Sequence, residues 1–497
     1  MLASVITATN IKDLAEHIKK SKEADLIELR LDYIKDFNNK KLKSVIEFCR
    51  RECNKPIIAT LRKKDEGGFF DGDENERIKI LKNAIDAGAD FADIEFSSGK
   101  NSIKSVINNK LNAKVIVSYH NLEGTPGNLI ESYNKIKNLN PDLIKIVTKS
   151  NSVADNFKIF DLVKVANKEK KKIIAFCMGS YGQFSRILSV ILGSQMTYAS
   201  ISKGKESAKG QLAIKDMLNI YRIKKLNRNT KIAGLIGNPV EHSWSNVMHN
   251  AAFDKMNINA VYLKFKVDKL KEFIEYFRSL NILGFSVTIP HKIEVMKYLD
   301  YIDKKAKEIG AVNTVVVKNR KLIGYNTDSD GAMKALKNKT ELEGKKVVVL
   351  GAGGSARAIA YGLREDNAKV TILNRTTNNA KSMADDFDCN YGSLNDLKHI
   401  DYDILINATP VGMYPDVNKS PISLNFIKKN TVVFDIVFNP YKTKLLKDAE
   451  KNGCAIIPGI EMLINGNILQ FKLWTGKDAP KQLIRNKAIN YLRKCSQ

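Results

Sequence analysis

The chain has 497 residues, with 43% hydrophobic and 27% charged side chains, a balance that can bury real cores and implies at least two domains. Its 11 prolines and 29 glycines exclude a fibrous or disordered chain, and its 6 cysteines are no disulfide framework. No apolar run reaches the roughly 18–20 residues that span a bilayer. The opening Met1-Leu2-Ala3-Ser4-Val5-Ile6 has neither the charged start of a secretory signal nor the arginines of a transit peptide. Cys49 and Cys53 can share a helix face, but no histidine cluster joins them to make a metal site. The expectation is a reduced, cytoplasmic protein without a metal or a membrane. The net charge of +27, from 81 Lys and Arg against 54 Asp and Glu, fits a nucleic-acid partner, anionic small substrates with a phosphorylated cofactor, or a lysine habit on solvated faces. The lysines are dispersed, as in Lys40-Lys41, Lys170-Lys171-Lys172 and Lys224-Lys225, with no nucleic-acid motif beside them, which favours the last.

From residue 1 to about 222, apolar strands alternate with helical stretches, the strands beginning near Leu2, Leu26, Ile57, Phe91, Val115, Leu143, Ile173 and Tyr198. About eight βα units in roughly 220 residues is the arithmetic of a (β/α)₈ barrel. A doubly wound sheet competes, but no Gly-rich phosphate turn follows the first strand. A barrel requires functional residues at the C-terminal ends of its strands. In Asp25 to Asp32 the alternation puts Glu28, Arg30 and Asp32 on one face. Pro56 to Leu61 ends in Arg62, followed by Glu66-Gly67-Gly68, and Val115 to Tyr119 ends in His120. Lys145, within Asp142-Leu143-Ile144-Lys145-Ile146-Val147, either reaches solvent or is buried, where desolvation lowers its pKa and leaves a nucleophilic amine. His120, one strand earlier, can move protons beside it.

Together with Thr60-Leu61-Arg62, Ser118-Tyr119-His120, Ser185-Arg186 and Ser207-Ala208-Lys209-Gly210-Gln211, these motifs make residues 1–222 resemble type I 3-dehydroquinate dehydratase. The resemblance implies that Lys145 forms an imine with the substrate ketone. His120 would then take the adjacent proton and assist loss of water, with Glu66 positioning it. Arg186 would clamp the substrate carboxylate. Glu28, Arg30, Arg62, Ser207 and Gln211 would grip hydroxyls and the closing loop, and Ser4 would bind substrate from the first strand. Lys209 departs from the proline usual there.

Residues 223–230, basic and containing Asn227-Arg228-Asn229, read as a linker before a new strand at Lys231 to Gly237. The strand Lys345 to Leu350 runs straight into Gly351-Ala352-Gly353-Gly354-Ser355-Ala356 and a helical stretch. This is a dinucleotide turn: Gly351 bends the chain, Gly353 admits the pyrophosphate and Ala356 allows close helix packing. The next strand ends in Asn374-Arg375-Thr376. An arginine where an acidic residue would hold the ribose of NAD favours the 2′-phosphate of NADP(H). Upstream lie Ser243-Trp244-Ser245, Val287-Thr288-Ile289-Pro290-His291-Lys292, Gly310 to Thr314, and Thr327-Asp328. These loop clusters suit a hydroxylated, carboxylated ligand. Pro290 can start a helix with Lys292 in its first turn, and Lys292 paired with Asp328 can pass a proton to an oxygen.

With Asn407-Ala408-Thr409-Pro410-Val411-Gly412-Met413 and Asp435 to Pro440, these motifs make residues 231–497 resemble shikimate dehydrogenase. The resemblance implies a substrate domain at 231–330 completed by 461–497, and a Rossmann NADP domain at 331–460. Lys292 and Asp328 would be the catalytic pair, and Ser243, Ser245, Thr288 and Asn313 would bind substrate. Gly351, Gly353, Gly354, Ser355, Ala356, Asn374, Arg375, Thr376, Ile436 and Gly459 would line the cofactor. Asn246, Ser286, Phe438 and Asn379 depart from the family pattern, and Gly466 stands where a substrate-binding glutamine is usual. The two resemblances predict consecutive steps, from 3-dehydroquinate through 3-dehydroshikimate to shikimate. A quinate or quinate/shikimate dehydrogenase in the second half stays open, as does an oligomer. A basic nucleic-acid-binding scaffold with inactive folds is the remote alternative.

Overall fold

The computed structural model describes residues 1–35, 37 and 39–495. They form two compact units, Met1–Thr230 with Phe265–Ser279, and Lys231–Lys264 with the chain from Leu280 onward.

The first unit is a curled, mostly helix-wrapped parallel sheet of β1 (Leu2–Ile6), β2 (Leu26–Arg30), β3 (Ile57–Thr60), β4 (Phe91–Glu95), β5 (Lys114–Asn121), β6 (Leu143–Lys149), β7 (Ile173–Met178), β8 (Thr197–Ser200) and a short β9 (Leu212–Ala213). Its ladder runs β7-β6-β5-β4-β3-β2-β1-β8-β9. The seam between β7 and β8 is bridged by the Gln195 N–H, which donates to the Ile173 carbonyl at 2.8 Å. Inward side chains from all eight main strands pack as one cluster, including Ala3, Leu26, Ile58, Phe91, Ile116, Leu143, Ile174 and Tyr198. Because strand side chains repeat every second residue, the layer above this apolar ring is already fixed: Leu26 leads to Glu28, Ile58 to Thr60, Phe91 to Asp93, Ile116 to Ser118 and Leu143 to Lys145. One layer of side chains thus separates a dry floor from the chemistry, as barrel interiors are built. The helix Glu74–Asp86 starts at Asp73, whose side chain accepts from the Glu76 N–H. Residues 223–230 fold onto this unit, with Lys224 paired to Asp25 at 2.8 Å and Arg228 donating to Asn167 at 2.7 Å. Phe265–Ser279 also belongs here: Tyr276 stacks on Phe157, centroids 4.3 Å apart, and donates to Asp161 at 2.7 Å.

The second unit carries two sheets. The first holds β10 (Lys231–Gly237), β11 (Ala260–Lys266), β12 (Ile282–Val287), β13 (Tyr301–Ile302), β14 (Thr314–Lys318) and β15 (Lys321–Tyr325), in the order β11-β10-β12-β14-β15-β13. The second is parallel, with β16 (Lys346–Leu350), β17 (Lys369–Leu373), β18 (Asn390–Gly392), β19 (Ile404–Asn407), β20 (Val432–Asp435) and β21 (Ala455–Pro458) in the order β18-β17-β16-β19-β20-β21. That is the doubly wound dinucleotide order, whose topological switch lies between β16 and β19. The helix Ile460–Thr475 returns to the first sheet, where the Trp474 indole donates to the Val315 carbonyl at 3.0 Å. It packs closely on the helix Asp328–Lys337 because Gly331 leaves room: a Cβ there would lie 2.9 Å from the Met462 carbonyl.

Candidate active sites

At the C-terminal mouth of the first sheet is a cavity of about 230 Å³. Glu28, Arg30, Arg62, Glu66, His120, Lys145, Arg186, Ser207 and Gln211 all line it, drawn together from β2, β5, β6, the helix Ser185–Leu192 and the segments that follow β3 and β8. Ser4 does not. Ala3 and Val5 face the lumen, so alternation turns Ser4 outward, and its hydroxyl bonds Ser21 at 2.7 Å behind the sheet. The expectation that Ser4 touches substrate is corrected by that parity.

Lys145 is buried, but its charge state differs from the expectation. Its Nζ lies 2.9 Å from Asp93 Oδ2 and 3.2 Å from Glu28 Oε1. Burial alone would lower its pKa; the two carboxylates outweigh burial and raise it. In the free protein it is an ammonium ion. Asp93 is held ionised in turn, Arg62 and Lys145 overcoming its burial, with Arg62 Nη2 at 2.9 Å and the Ser118 hydroxyl donating at 2.6 Å. Arg62 also pairs with Glu95 at 3.0 Å. Asp93, Glu95 and Tyr198, whose ring lies 4.3 Å from Lys145 Nζ, were not singled out from the sequence. The signal for the acids was present, since Asp93 and Glu95 alternate in β4 as Glu28 and Arg30 do in β2.

His120 sits with Nδ1 2.9 Å from Glu66 Oε2. Burial, then Arg62 and Lys145, keep its pKa well below the usual histidine value, so the ring is neutral. With Glu66 on Nδ1, Nε2 is left with its lone pair. Glu66 also accepts from Ser97 at 2.7 Å, and burial raises its pKa. Arg30 is forked onto Asp32 at 2.8 and 2.6 Å. Unlike Arg30, Arg62 and Lys145, Arg186 has no carboxylate beside it: it is 2% exposed, its Nε and Nη2 have no partner among the described residues, and burial lowers its pKa to about 10. Its guanidinium lies over Phe176, 4.6 Å from the ring centroid. A buried, unpaired fork on a cavity wall fits a carboxylate. Ser207 donates through N–H and hydroxyl to Gln211 Oε1, at 2.9 and 3.3 Å.

In the second unit, Lys292 Nζ lies 2.5 Å from Asp328 Oδ2 and 3.0 Å from Ser355 Oγ. It is not in a helix: Ile289 to Ile293 form a turn before the short 3₁₀ helix Glu294–Tyr298. The Lys292 carbonyl accepts from Val312 N–H at 2.8 Å, so strand-end hydrogen bonding, not a helix dipole, positions the amine. Asn313 Nδ2 donates to the other Asp328 oxygen at 2.7 Å. The Thr288 N–H donates to the Ile236 carbonyl at 2.9 Å, and Ser245 N–H to Ser243 Oγ at 3.3 Å. Ser286 Oγ accepts from Tyr262 at 2.8 Å and donates to Gln470 at 2.9 Å, and Gln470 donates to Thr314 at 3.0 Å. Gln470, one helical turn beyond Gly466, thus closes a buried polar network, whereas Gly466 itself faces Thr327, where a Cβ would sit at ordinary contact distance.

The nucleotide cradle is present in the backbone. Gly351 has φ +109°, and a Cβ there would press on Thr409, while a Cβ on Gly353 would meet nothing within 4 Å. The helix Gly354–Glu365 starts at once, with Ala356 fully buried, so its free N–H groups face the open space above Gly353. Asn374 donates to the Thr376 carbonyl at 3.0 Å, and Arg375 is exposed beyond β17. Ile436 and Gly459 touch: a Cβ on Gly459 would lie 2.3 Å from the Ile436 carbonyl. These residues fit a phosphorylated dinucleotide. Among the described residues no group of three or more His, Cys, Asp or Glu side chains is arranged to hold a metal ion, and no helix is long and apolar enough to cross a membrane.

A family profile described as type I 3-dehydroquinase matches residues 2–228. Profiles described as shikimate dehydrogenase substrate binding domain and shikimate / quinate 5-dehydrogenase match 235–315 and 333–440. The bifunctional 3-dehydroquinate dehydratase/shikimate dehydrogenase of Arabidopsis thaliana, described as chloroplastic, is 38% identical over 97% of this chain and 83% of its own. The chain belongs to this bifunctional family. The second half of the dehydratase/dehydrogenase is also 46% identical to the NADP(+) shikimate dehydrogenase of Methanococcus maripaludis, across 53% of this chain and 98% of that protein. A crystal structure of a shikimate dehydrogenase in complex with NADP+ matches 54% of this chain and 97% of its own, with 43% identity and a TM-score of 0.52. The chain is a dehydroquinate dehydratase joined to an NADP-dependent shikimate dehydrogenase.

Proposed function

We propose that residues 1–222 remove water from 3-dehydroquinate and that residues 231–497 reduce the resulting 3-dehydroshikimate to shikimate, with 223–230 as the join between them. The substrate domain would be 231–330 with 461–497, and the NADP domain 331–460. The observation that carries the first step is Lys145, a buried amine between two carboxylates beside a neutral His120.

In this reading Arg186 receives the substrate carboxylate. Lys145 loses a proton as its nitrogen adds to the ketone carbon, and a water molecule leaves to form the imine. The positive imine nitrogen replaces the ammonium charge that Asp93 and Glu28 already hold, so the ion pairing is kept through the step. His120 Nε2 then takes the proton from the adjacent carbon, with Glu66 holding Nδ1 and stabilising the imidazolium. The same imidazolium returns the proton to the departing hydroxyl, which leaves as water. Hydrolysis of the imine frees the product and Lys145. Ser207 and Gln211 close the loop over the cavity.

In the second unit, Ser243, Ser245, Thr288 and Asn313 hold the ring acid. When bound, NADPH supplies the hydride. Gly351, Gly353, Gly354, Ser355 and Ala356 seat the pyrophosphate, Arg375 with Asn374 and Thr376 the 2′-phosphate, and Ile436 and Gly459 the nicotinamide end. Lys292 stands between the substrate residues and Ser355, and gives a proton to the carbonyl oxygen as it becomes a hydroxyl. Asp328 orients the amine through the 2.5 Å contact. We place this chemistry in the cytoplasm, on small acids, without nucleic acid.

The test is to supply the purified chain with 3-dehydroquinate and NADPH and identify the products by mass spectrometry. Shikimate supports both assignments. Accumulated 3-dehydroshikimate removes the proposed substrate of the second site, and quinate assigns that site to the other ring acid. Lys145→Ala should abolish dehydration and spare NADP reduction by shikimate; Lys292→Ala should do the reverse.

A further inference from the structure

The dehydratase cavity carries more positive charge at its mouth than its interior uses. Inside, Arg30, Arg62 and Lys145 are each paired to carboxylates, and Arg186 awaits a single anion. Two more lysines line the same cavity, Lys149 at the end of β6 and Lys209 in the loop after β8. Both are exposed, and among the described residues neither is ion-paired. They rise from one point on the rim. Gly179 N–H donates to the Lys209 carbonyl at 2.9 Å, and a Cβ on Gly179 would lie 3.9 Å from Lys149 Cγ. Gly210, with φ +79°, presses the loop onto the same turn, since a Cβ there would fall 2.4 Å from the Gly179 carbonyl. The nearby acid Glu66 also lines the cavity, but it is engaged by His120 and Ser97.

We propose that Lys149 and Lys209 are a capture pair that draws the carboxylate of the incoming ring acid into the cavity and passes it to Arg186. The proposal rests on the dehydratase assignment above. A cleft with one sign of charge at its opening concentrates oppositely charged substrate and raises its encounter rate. Lysine suits the task, because a hydrated ammonium on a flexible stem follows an anion without locking onto it. The attraction falls with salt, since charges separated by more than about 10 Å are screened at 0.1 M. The overall charge of +27 supplies only a diffuse field, which this pair would focus at one opening.

The experiment uses the full chain with Lys149→Gln, Lys209→Gln and both together, measuring kcat and KM for 3-dehydroquinate at low and high salt. The double variant should lose about five- to tenfold in kcat/KM at low salt while kcat is kept, and the gap should close at high salt. Lys209→Arg should restore the single loss. A control, Lys171→Gln with Lys172→Gln, removes the same charge from the turn before β7, at the opposite end of the sheet, and should leave kcat/KM unchanged. An equal loss in the control overturns the proposal in favour of net charge, and a salt-independent loss overturns it in favour of direct contact. An unmodified chain that neither dehydrates 3-dehydroquinate nor is trapped by borohydride at Lys145 fails the dehydratase assignment itself; an active chain whose variants match it fails only the capture pair.

Discussion

Lys145 Nζ and Asp93 Oδ2 lie 2.9 Å apart, both buried, and this pair sets the charge of the amine before substrate arrives. Burial and ion pairing pull in opposite directions on a lysine, and here pairing wins. Asp93→Asn keeps the shape and removes one of the two opposing charges. The pKa of Lys145 should then fall by about 1–3 units. The check is the pH dependence of borohydride trapping of the imine: the rising limb should move to lower pH in the variant. An unmoved limb would mean that Glu28 alone holds the proton.

Arg186 places a guanidinium in the protein with two nitrogens that have no partner among the described residues, and its pKa, lowered to about 10, registers the cost. A base whose folded pKa lies below its unfolded one destabilises the fold at every pH below the folded value, because the folded state would rather lack the proton. Arg186→Met should therefore stabilise the free dehydratase fold by about 2–3 kcal/mol at pH 7 while raising KM for 3-dehydroquinate steeply. Denaturant unfolding of the ligand-free chain, set beside steady-state kinetics, checks both. A destabilised variant would show that the arginine is a structural strut.

The contrast between Lys145 and the nucleotide turn shows what a sequence can display. The turn is local: strand, Gly351, Gly353 and helix lie within a few residues, and backbone requirements alone make them readable. The mouth residues were readable too, because alternation along β2 and β5 puts Glu28, Arg30 and His120 on an inward face. What escaped depends on distant partners. The charge of Lys145 is decided by Asp93 and Glu28, 52 and 117 residues away in the chain, so local burial pointed the wrong way. Ser4 escaped for another reason: Ala3, Ser4 and Val5 are all small or apolar, and nothing in the sequence of β1 says which parity faces the lumen. Pro290 suggested a helix start for Lys292, yet the carbonyl bond to Val312, a residue far along the chain, holds a turn there instead.

Gly466 is a place where the second site has room for a Cβ. A Cβ there would lie 3.8 Å from the Thr327 carbonyl and hydroxyl, ordinary contact distances, beside the Asp328 that pairs with Lys292. Gly466→Gln removes a glycine from a helix interior, which should stabilise by about 0.5–1 kcal/mol. If the new amide reaches a substrate hydroxyl, one hydrogen bond of about 1 kcal/mol lowers KM for shikimate roughly fivefold. Thermal unfolding and KM report the two effects separately. A raised KM with intact stability would mean that the glycine leaves space the substrate itself occupies.

Asp435 ends β20, and among the described residues it has no charged partner. It accepts from Asn407 Nδ2 at 2.9 Å, Thr443 Oγ1 at 2.6 Å and Val437 N–H at 3.0 Å, three neutral donors, and burial raises its pKa from 3.8 to about 6. Between those two values the folded protein holds a proton that the unfolded chain has released. The stability this contributes is complete below pH 3.8 and is lost as pH rises through 6. Asp435→Asn imitates the protonated form at every pH, its amide able to donate to Thr443 while its oxygen still accepts from Asn407 and Val437. Relative to the unmodified chain, the variant should be matched in stability near pH 4 and gain about 2–3 kcal/mol by pH 8. Paired unfolding curves across that range isolate the effect from every other titrating group. A stability difference that does not change with pH would show that Asp435 is ionised throughout, held by its three donors against the cost of burial.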